Sequence, residues 1–195
     1  MNLPNKLSCL RIILVPVMAI VFLLDWAYAP LVAVAIFIIA ACTDFLDGHI
    51  ARKYNMVTDL GKLLDPIADK LLILFALFLV VEANLIPIGF GAFCGGIIIG
   101  RELLISAVRQ IAASKGIIIQ ANIYGKIKTF VQDIALPMTM LLKMKEVIIS
   151  GISAEFFEVY QIICWTLLAV ATLLTLISGA IYFVQNKKVF SQNAD

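Results

Sequence analysis

Charge is what this chain has least of: Asp, Glu, Lys and Arg make up 14% of its 195 residues, against 63% hydrophobic. Soluble domains carry roughly 25% charged residues. With a mean hydropathy of +1.04, the composition excludes an ordinary water-soluble core and points to several membrane spans. The net charge of +2 is too small for a nucleic-acid binder. Cysteine is sparse too. Cys9, Cys42, Cys94 and Cys164 stand far apart in apolar segments without a C-x-x-C pair, which gives neither a disulfide framework nor a zinc site and leaves them as packing residues. His49 is the single histidine. No internal repeat or low-complexity stretch divides the chain, so residues 1–195 read as one domain.

Crossing about 30 Å of hydrocarbon takes roughly 20 helical residues, and runs of that kind are present in six places. They cover residues 8–25, 30–54, 61–82, 87–113, 122–143 and 154–184. The expected fold is all-α: an integral membrane bundle of six transmembrane helices, with the segment before Ser8 either a short interfacial helix or a leader. Lys6, the first apolar run and Ala27-Tyr28-Ala29 loosely resemble a signal peptide. The run is nevertheless long enough to span, Arg11 interrupts it, and Pro30 would follow the cut, so it reads as a span. Lys6, Arg11, Arg52, Lys53, Lys62, Lys115, Lys126, Lys128, Lys187 and Lys188 collect at one side of the bundle, and only Lys143 and Lys145 at the other. By the positive-inside rule both termini and the connection between the second and third spans face the cytoplasm of a cell membrane.

Four carboxylates stand out against this background: Asp44 and Asp47 near the end of the second span, Asp65 and Asp69 near the start of the third. An ionised Asp costs several kcal/mol even part-way into a bilayer, so four near one another require a bound positive charge, most simply metal ions. The spacing agrees. On a helix Asp44 and Asp47 share a face with Gly48 and Ala51, while Gly61, Asp65 and Asp69 line one face of the next. Asp44 lies eight residues before Arg52, roughly 12 Å below the end of its helix at about 1.5 Å per residue. That depth suits a substrate with a polar head reached from water and tails left in lipid. Oxygen ligands select hard cations, so Mg²⁺ or Mn²⁺ is expected, and four Asp balance two divalent ions. Two such ions are the standard arrangement for phosphoryl transfer. Gly48 and Ala51 leave room for a bulky group near the backbone, or else serve tight helix packing. Arg52 can fork a phosphate or simply anchor the helix at the interface. His49 adjoins the aspartates, but adjacent helical residues point about 100° apart, which turns it to a partner helix or solvent.

The string Asp44-x2-Asp47-Gly48-x2-Ala51-Arg52-x8-Gly61-x3-Asp65-x3-Asp69 resembles in full the signature of the CDP-alcohol phosphotransferases, integral membrane enzymes that make phospholipid head groups. The resemblance implies that Asp44, Asp47 and Asp65 hold two divalent ions and that Asp69 is a general base that also touches a metal. It further implies that Gly48, Ala51, Arg52 and Gly61 bind the CDP-diacylglycerol donor, and that the enzyme is a homodimer.

Three further segments are similar to family members whose acceptor is sn-glycerol 3-phosphate. These are Asn2 to Arg11, Gly100-Arg101-Glu102 through Ser106 to Arg109, and Gly125-Lys126-Ile127-Lys128-Thr129. An acceptor with its own phosphate needs cations beside the metals, and buried Arg or Lys is costly without such a partner. Arg101, Arg109, Lys126 and Lys128 are the candidates. Arg101 and Arg109 share a helix face, whereas Lys126 and Lys128 lie about 200° apart, so only one of the two lysines should turn inward. An ion pair with Glu102 is the plainer reading of Arg101, and Asp133 is a second acid within reach of a lysine. The expected reaction moves the phosphatidyl group of CDP-diacylglycerol to sn-glycerol 3-phosphate and releases CMP. A sister enzyme using serine, an inositol phosphate or phosphatidylglycerol is the first rival. A cation transporter is the second, disfavoured because the far halves of the spans are almost wholly apolar.

Overall fold

Apolar sequence surrounded by lipid folds as helix, because only the i→i−4 ladder satisfies each N–H and C=O within the segment. The computed structural model describes the backbone of residues 3–53, 59–114 and 123–185, and the side chains of residues 5–43, 61, 66–113 and 123–185. The elements are α1 (Leu3–Leu23), α2 (Ala29–Lys53), α3 (Asp59–Glu82), α4 (Ile88–Ser114), α5 (Ile123–Met140), a 3₁₀ turn (Leu141–Met144), α6 (Lys145–Gly151) and α7 (Ala154–Gln185). No strand is present among the described residues. The six expected spans correspond to α1 through α5 and α7, and the short α6 fills what reads in the sequence as a loop.

Three stretches are long and apolar enough to cross a membrane on their own: Asn5–Leu23, Ile88–Ala113 and Ala154–Gln185. Ala29–Thr43 of α2 is a shorter apolar stretch. The buried polar side chains among the described residues are carried by α1, α2, α5 and α7, Arg11, Thr43, Lys128, Gln132 and Ser178 among them. The outer surface is hydrocarbon-like, with Ile20 64%, Phe93 65% and Phe130 67% exposed, a pattern a water-soluble monomer does not sustain. The chain is a membrane protein.

No separate interfacial helix forms at the start: α1 runs unbroken from Leu3 to Leu23. Pro4 lies in its first turn, where its missing N–H has no intrahelical acceptor to lose. α1 packs on α2 and α3, α3 also meets α4 and α5, and α7 closes against α4 and α5. The main core holds Met18, Phe22, Phe37, Leu77, Ile98 and Leu136, with Ala33, Ala40 and Ala76 fully buried where backbones come close. α3 ends in a Schellman-type turn. Asn84 takes a left-handed φ of 52°, the Leu85 N–H donates to the Val80 carbonyl at 3.2 Å, and the Asn84 N–H donates to Val81 at 3.0 Å. The Trp165 indole then donates to the Leu85 carbonyl at 3.0 Å and ties α7 to this turn.

Two cations pin helices together in the interior. Lys143 donates to the Phe22 carbonyl at the open C-terminus of α1, with its ammonium 4.7 Å from the centroid of the Phe22 ring. Arg11, fully buried, donates through Nε to the Ala40 carbonyl at 3.2 Å and lies 3.5 Å from Thr43 Oγ1. Arg11 thereby fixes α1 against the turn of α2 that immediately precedes Asp44. Replacing it with Lys removes the fork while keeping the charge. Arg11→Lys should lower stability in detergent by roughly 1–3 kcal/mol, read as a lower melting temperature. An unchanged melting temperature would remove Arg11 from this role.

Candidate active site

Asp44 and Asp47 fall on α2, and Asp65 and Asp69 on α3, so the backbone sets the four positions on consecutive helices. The side chains of Asp44, Asp47, Asp65, Gly48, His49, Ala51 and Arg52 lie outside the described residues. Gly61 is buried and Asp69 is exposed. Asp69 borders two neighbouring cavities, and these divide the candidate residues between them.

The larger cavity, about 620 Å³, is polar and lies between α3, α4, α5 and α7. Arg101, Arg109 and Lys126 line it together with Asp69, Glu102 and Asp133. Arg101 and Arg109 reach it from two turns of α4, as their i, i+8 spacing requires. Arg101 is held from several sides. Its Nη1 lies 3.2 Å from Glu102 Oε1, and its Nη2 donates to Ser178 Oγ at 3.0 Å. Ser178 in turn donates to the Thr175 carbonyl at 3.1 Å, so one hydroxyl serves as acceptor and donor. Gly179 makes room for the Arg101 side chain, and Gly125 lies within ordinary contact of it. A Cβ on Gly179 would stand 3.3 Å from Arg101 Cγ, and one on Gly125 would stand 3.6 Å from Nη2. Arg101 Nε is buried with no hydrogen-bond partner among the described residues. The ion pair with Glu102 is therefore present, and Arg101 also lines the cavity.

Lys128 is placed differently from the other three cations. It is 2% exposed, borders the second cavity and forms an ion pair with Glu102. The two lysines of the Gly125–Thr129 segment thus diverge, with Lys126 on the polar cavity and Lys128 turned into the bundle. Glu102, named in the sequence only as a possible partner of Arg101, bridges α4 to α5 through Lys128.

The second cavity, about 170 Å³, is mostly apolar. Ile73 of α3 and Ile98 of α4 wall it, with Asp69, Lys70, Glu102, Lys128, Thr129 and Gln132 as its polar members. Counted from the polar end of the bundle at about 1.5 Å per residue, Asp69 is about 15 Å along α3 and Gln132 about 14 Å along α5. Ile98 is about 24 Å from the end of α4, so the cavity extends from the level of Asp69 towards the middle of the bundle. Ser178, Gly179 and Gln132 carry no motif. The one signal available for the first two is a small polar pair inside a long apolar run.

These positions separate two effects. Arg109→Gln and Lys126→Gln should each raise the Michaelis constant for a phosphate-bearing acceptor by about 10- to 150-fold while the donor constant moves little. Lys128→Gln should act chiefly on stability, lowering it by roughly 1–3 kcal/mol, because Glu102 loses its buried ion-pair partner. Steady-state titration of each substrate beside thermal unfolding distinguishes these. A large acceptor effect in Lys128→Gln at unchanged stability would contradict the division.

Comparison with known proteins agrees with this architecture. The family model for CDP-alcohol phosphatidyltransferase matches residues 1–177. A Bacillus subtilis (strain 168) protein named CDP-diacylglycerol–glycerol-3-phosphate 3-phosphatidyltransferase is 38% identical over 197 residues, covering 95% of each chain. Proteins of the same name from Rickettsia felis and Salmonella choleraesuis are 36% and 37% identical, covering 97% and 86% of this chain and 97% and 91% of their own. With the match extending over nearly the whole length, the chain belongs to the CDP-alcohol phosphatidyltransferase family.

Proposed function

We propose that this chain transfers the phosphatidyl group of CDP-diacylglycerol to sn-glycerol 3-phosphate, giving phosphatidylglycerophosphate and CMP. The observation that carries the choice of acceptor is the single cavity joining Asp69 to Arg101, Arg109 and Lys126. An acceptor bearing its own phosphate is the ligand for three cations beside a base. The names of relatives aligned over their full length support the same reaction.

In this reading Arg109 and Lys126, one turn or so from the polar end of their helices, receive the phosphate of the acceptor. Arg101, held by Glu102 and Ser178 on the same cavity, orients it with its positive charge. This turns the 1-hydroxyl of the glycerol towards Asp69. Asp69 takes the hydroxyl proton as the oxygen attacks the β-phosphorus, the bond from that phosphorus to the CMP oxygen breaks, and CMP leaves. Gly48 and Ala51 make space for the cytidine group, Gly61 lies on the same face as the acids, and Arg52 grips the donor's diphosphate. The four-carboxylate donor set fits hard cations: Asp44, Asp47 and Asp65, with Asp69 in contact, would hold two Mg²⁺ or Mn²⁺ ions, which when bound neutralise the diphosphate and the departing CMP. The enzyme works as a homodimer in the cell membrane, with both termini and the site towards the cytoplasm.

Chelation should abolish turnover and added Mg²⁺ or Mn²⁺ restore it, whereas full activity after exhaustive chelation would eliminate the metal assignment. Asp69→Asn should lower kcat by at least about 10²-fold with donor binding largely retained, measured by turnover and by equilibrium binding of the donor. A near-normal kcat would place the base elsewhere.

A further inference from the structure

The smaller cavity beside Asp69 has a polar group that neither the reaction nor the fold uses. Gln132 is 1% exposed, and neither Oε1 nor Nε2 of its amide has a hydrogen-bond partner among the described residues. A buried amide left in this state is costly, so its retention in an otherwise apolar lining points to a ligand. The other polar groups there are engaged or assigned: Thr129 donates to the Gly125 carbonyl at 3.0 Å, and the Lys70 charge acts on Glu102. Lys128, one turn before Gln132 on the same face of α5, is neutralised by Glu102, and Asp69 faces the reacting groups.

The chemistry of the occupant follows from what lines the cavity. Ile73, Leu74, Ile98, Ile99 and Leu103 give the cavity a hydrocarbon wall that suits a lipid better than a polyol. With Lys70 and Lys128 offset by Asp69 and Glu102, the cavity asks for an uncharged ligand that is mainly hydrocarbon and offers one acceptor to an amide N–H. Its position adds a constraint: it begins at Asp69, where the phosphatidyl group reacts, and runs towards the middle of the bundle. Leu103 lines it and is 58% exposed, so the cavity communicates with the lipid-facing surface. Its volume of about 170 Å³ suits an ester group with the first carbons of a chain, the remainder passing out beside Leu103.

We infer that this cavity is an ester-recognition site for the lipid donor, in which Gln132 Nε2 donates to an acyl ester carbonyl of the phosphatidyl group. The inference rests on the transfer reaction proposed above. It makes Gln132 a specificity-determining residue that distinguishes an acyl ester from an alkyl ether, whose oxygen is a poorer acceptor.

The test compares two CDP-activated donors of equal chain length in mixed micelles, one diacyl and one dialkyl ether, with glycerol 3-phosphate as acceptor. The wild type should show a Michaelis constant for the ether donor about 3- to 10-fold above that for the ester, the scale of one neutral hydrogen bond. Gln132→Leu, close in shape and free of the buried amide, should lose this preference through a higher constant for the ester donor. Its acceptor constant should not change, and its melting temperature should hold or rise. A merely structural role for Gln132 would instead lower the melting temperature and leave the ester preference intact, which overturns the inference. Equal constants for both donors in the wild type overturn it without any variant. If the wild type makes no product dependent on glycerol 3-phosphate from either donor, the transfer reaction falls and this site with it.

Discussion

A carboxylate in the middle of an apolar bundle has to be neutralised by something the fold itself supplies, and Glu102 is where that requirement organises the site. Its Oε1 receives Lys128 from α5 and Arg101 from its own helix, and Arg101 continues to Ser178 on α7. Three helices are thereby locked at one level by charge-assisted bonds whose strength comes from the scarcity of competing water. Removing Glu102 would take the ion-pair partner from both Arg101 and the buried Lys128, so the arrangement depends on this one carboxylate. Its consequence for chemistry is that Arg101 is held in place before any ligand arrives.

The same pairing separates two environments only one side chain apart. With Lys128 drawn to Glu102, the cations left on the larger cavity are Arg101, Arg109 and Lys126, placed where a small anion can enter from the polar end of the bundle. Behind them the lining becomes mostly apolar, and the buried Gln132 amide has no hydrogen-bond partner among the described residues. Asp69 stands on the boundary. A reaction that joins a water-soluble acceptor to a lipid donor needs such a boundary, because each substrate must lose its own solvent on one side of the transferred phosphorus.

Much of this was legible in the sequence, and for a physical reason. Carboxylates, arginines and lysines are so expensive in an apolar chain that their positions and helical spacing mark a candidate site, of which the described side chains bring Asp69, Arg101, Arg109 and Lys126 to one cavity. The divergence of Lys126 and Lys128 followed from their angular separation alone. The sequence was silent where a role depends on what lies opposite. Arg11 reads as an interfacial charge, yet it is fully buried against Ala40 and Thr43, because the partner is a backbone carbonyl that leaves no trace in residue type. Ser178 and Gly179 matter through the space and the single acceptor they give Arg101. The run from Leu3 to Leu23 was divided on polarity, but its hydrogen-bond ladder has no reason to break near Ser8.

The choice of acceptor is the most direct point of contact with experiment. Purified protein supplied with labelled CDP-diacylglycerol and Mg²⁺ or Mn²⁺ can be offered glycerol 3-phosphate, serine, an inositol phosphate or phosphatidylglycerol in turn, and the lipid products separated. Labelled phosphatidylglycerophosphate formed with glycerol 3-phosphate, and no labelled product with the other three, is the expected result. Product formed with serine or phosphatidylglycerol and none with glycerol 3-phosphate would contradict it, since neither engages a cavity built from Arg101, Arg109 and Lys126 as a phosphate-bearing polyol does.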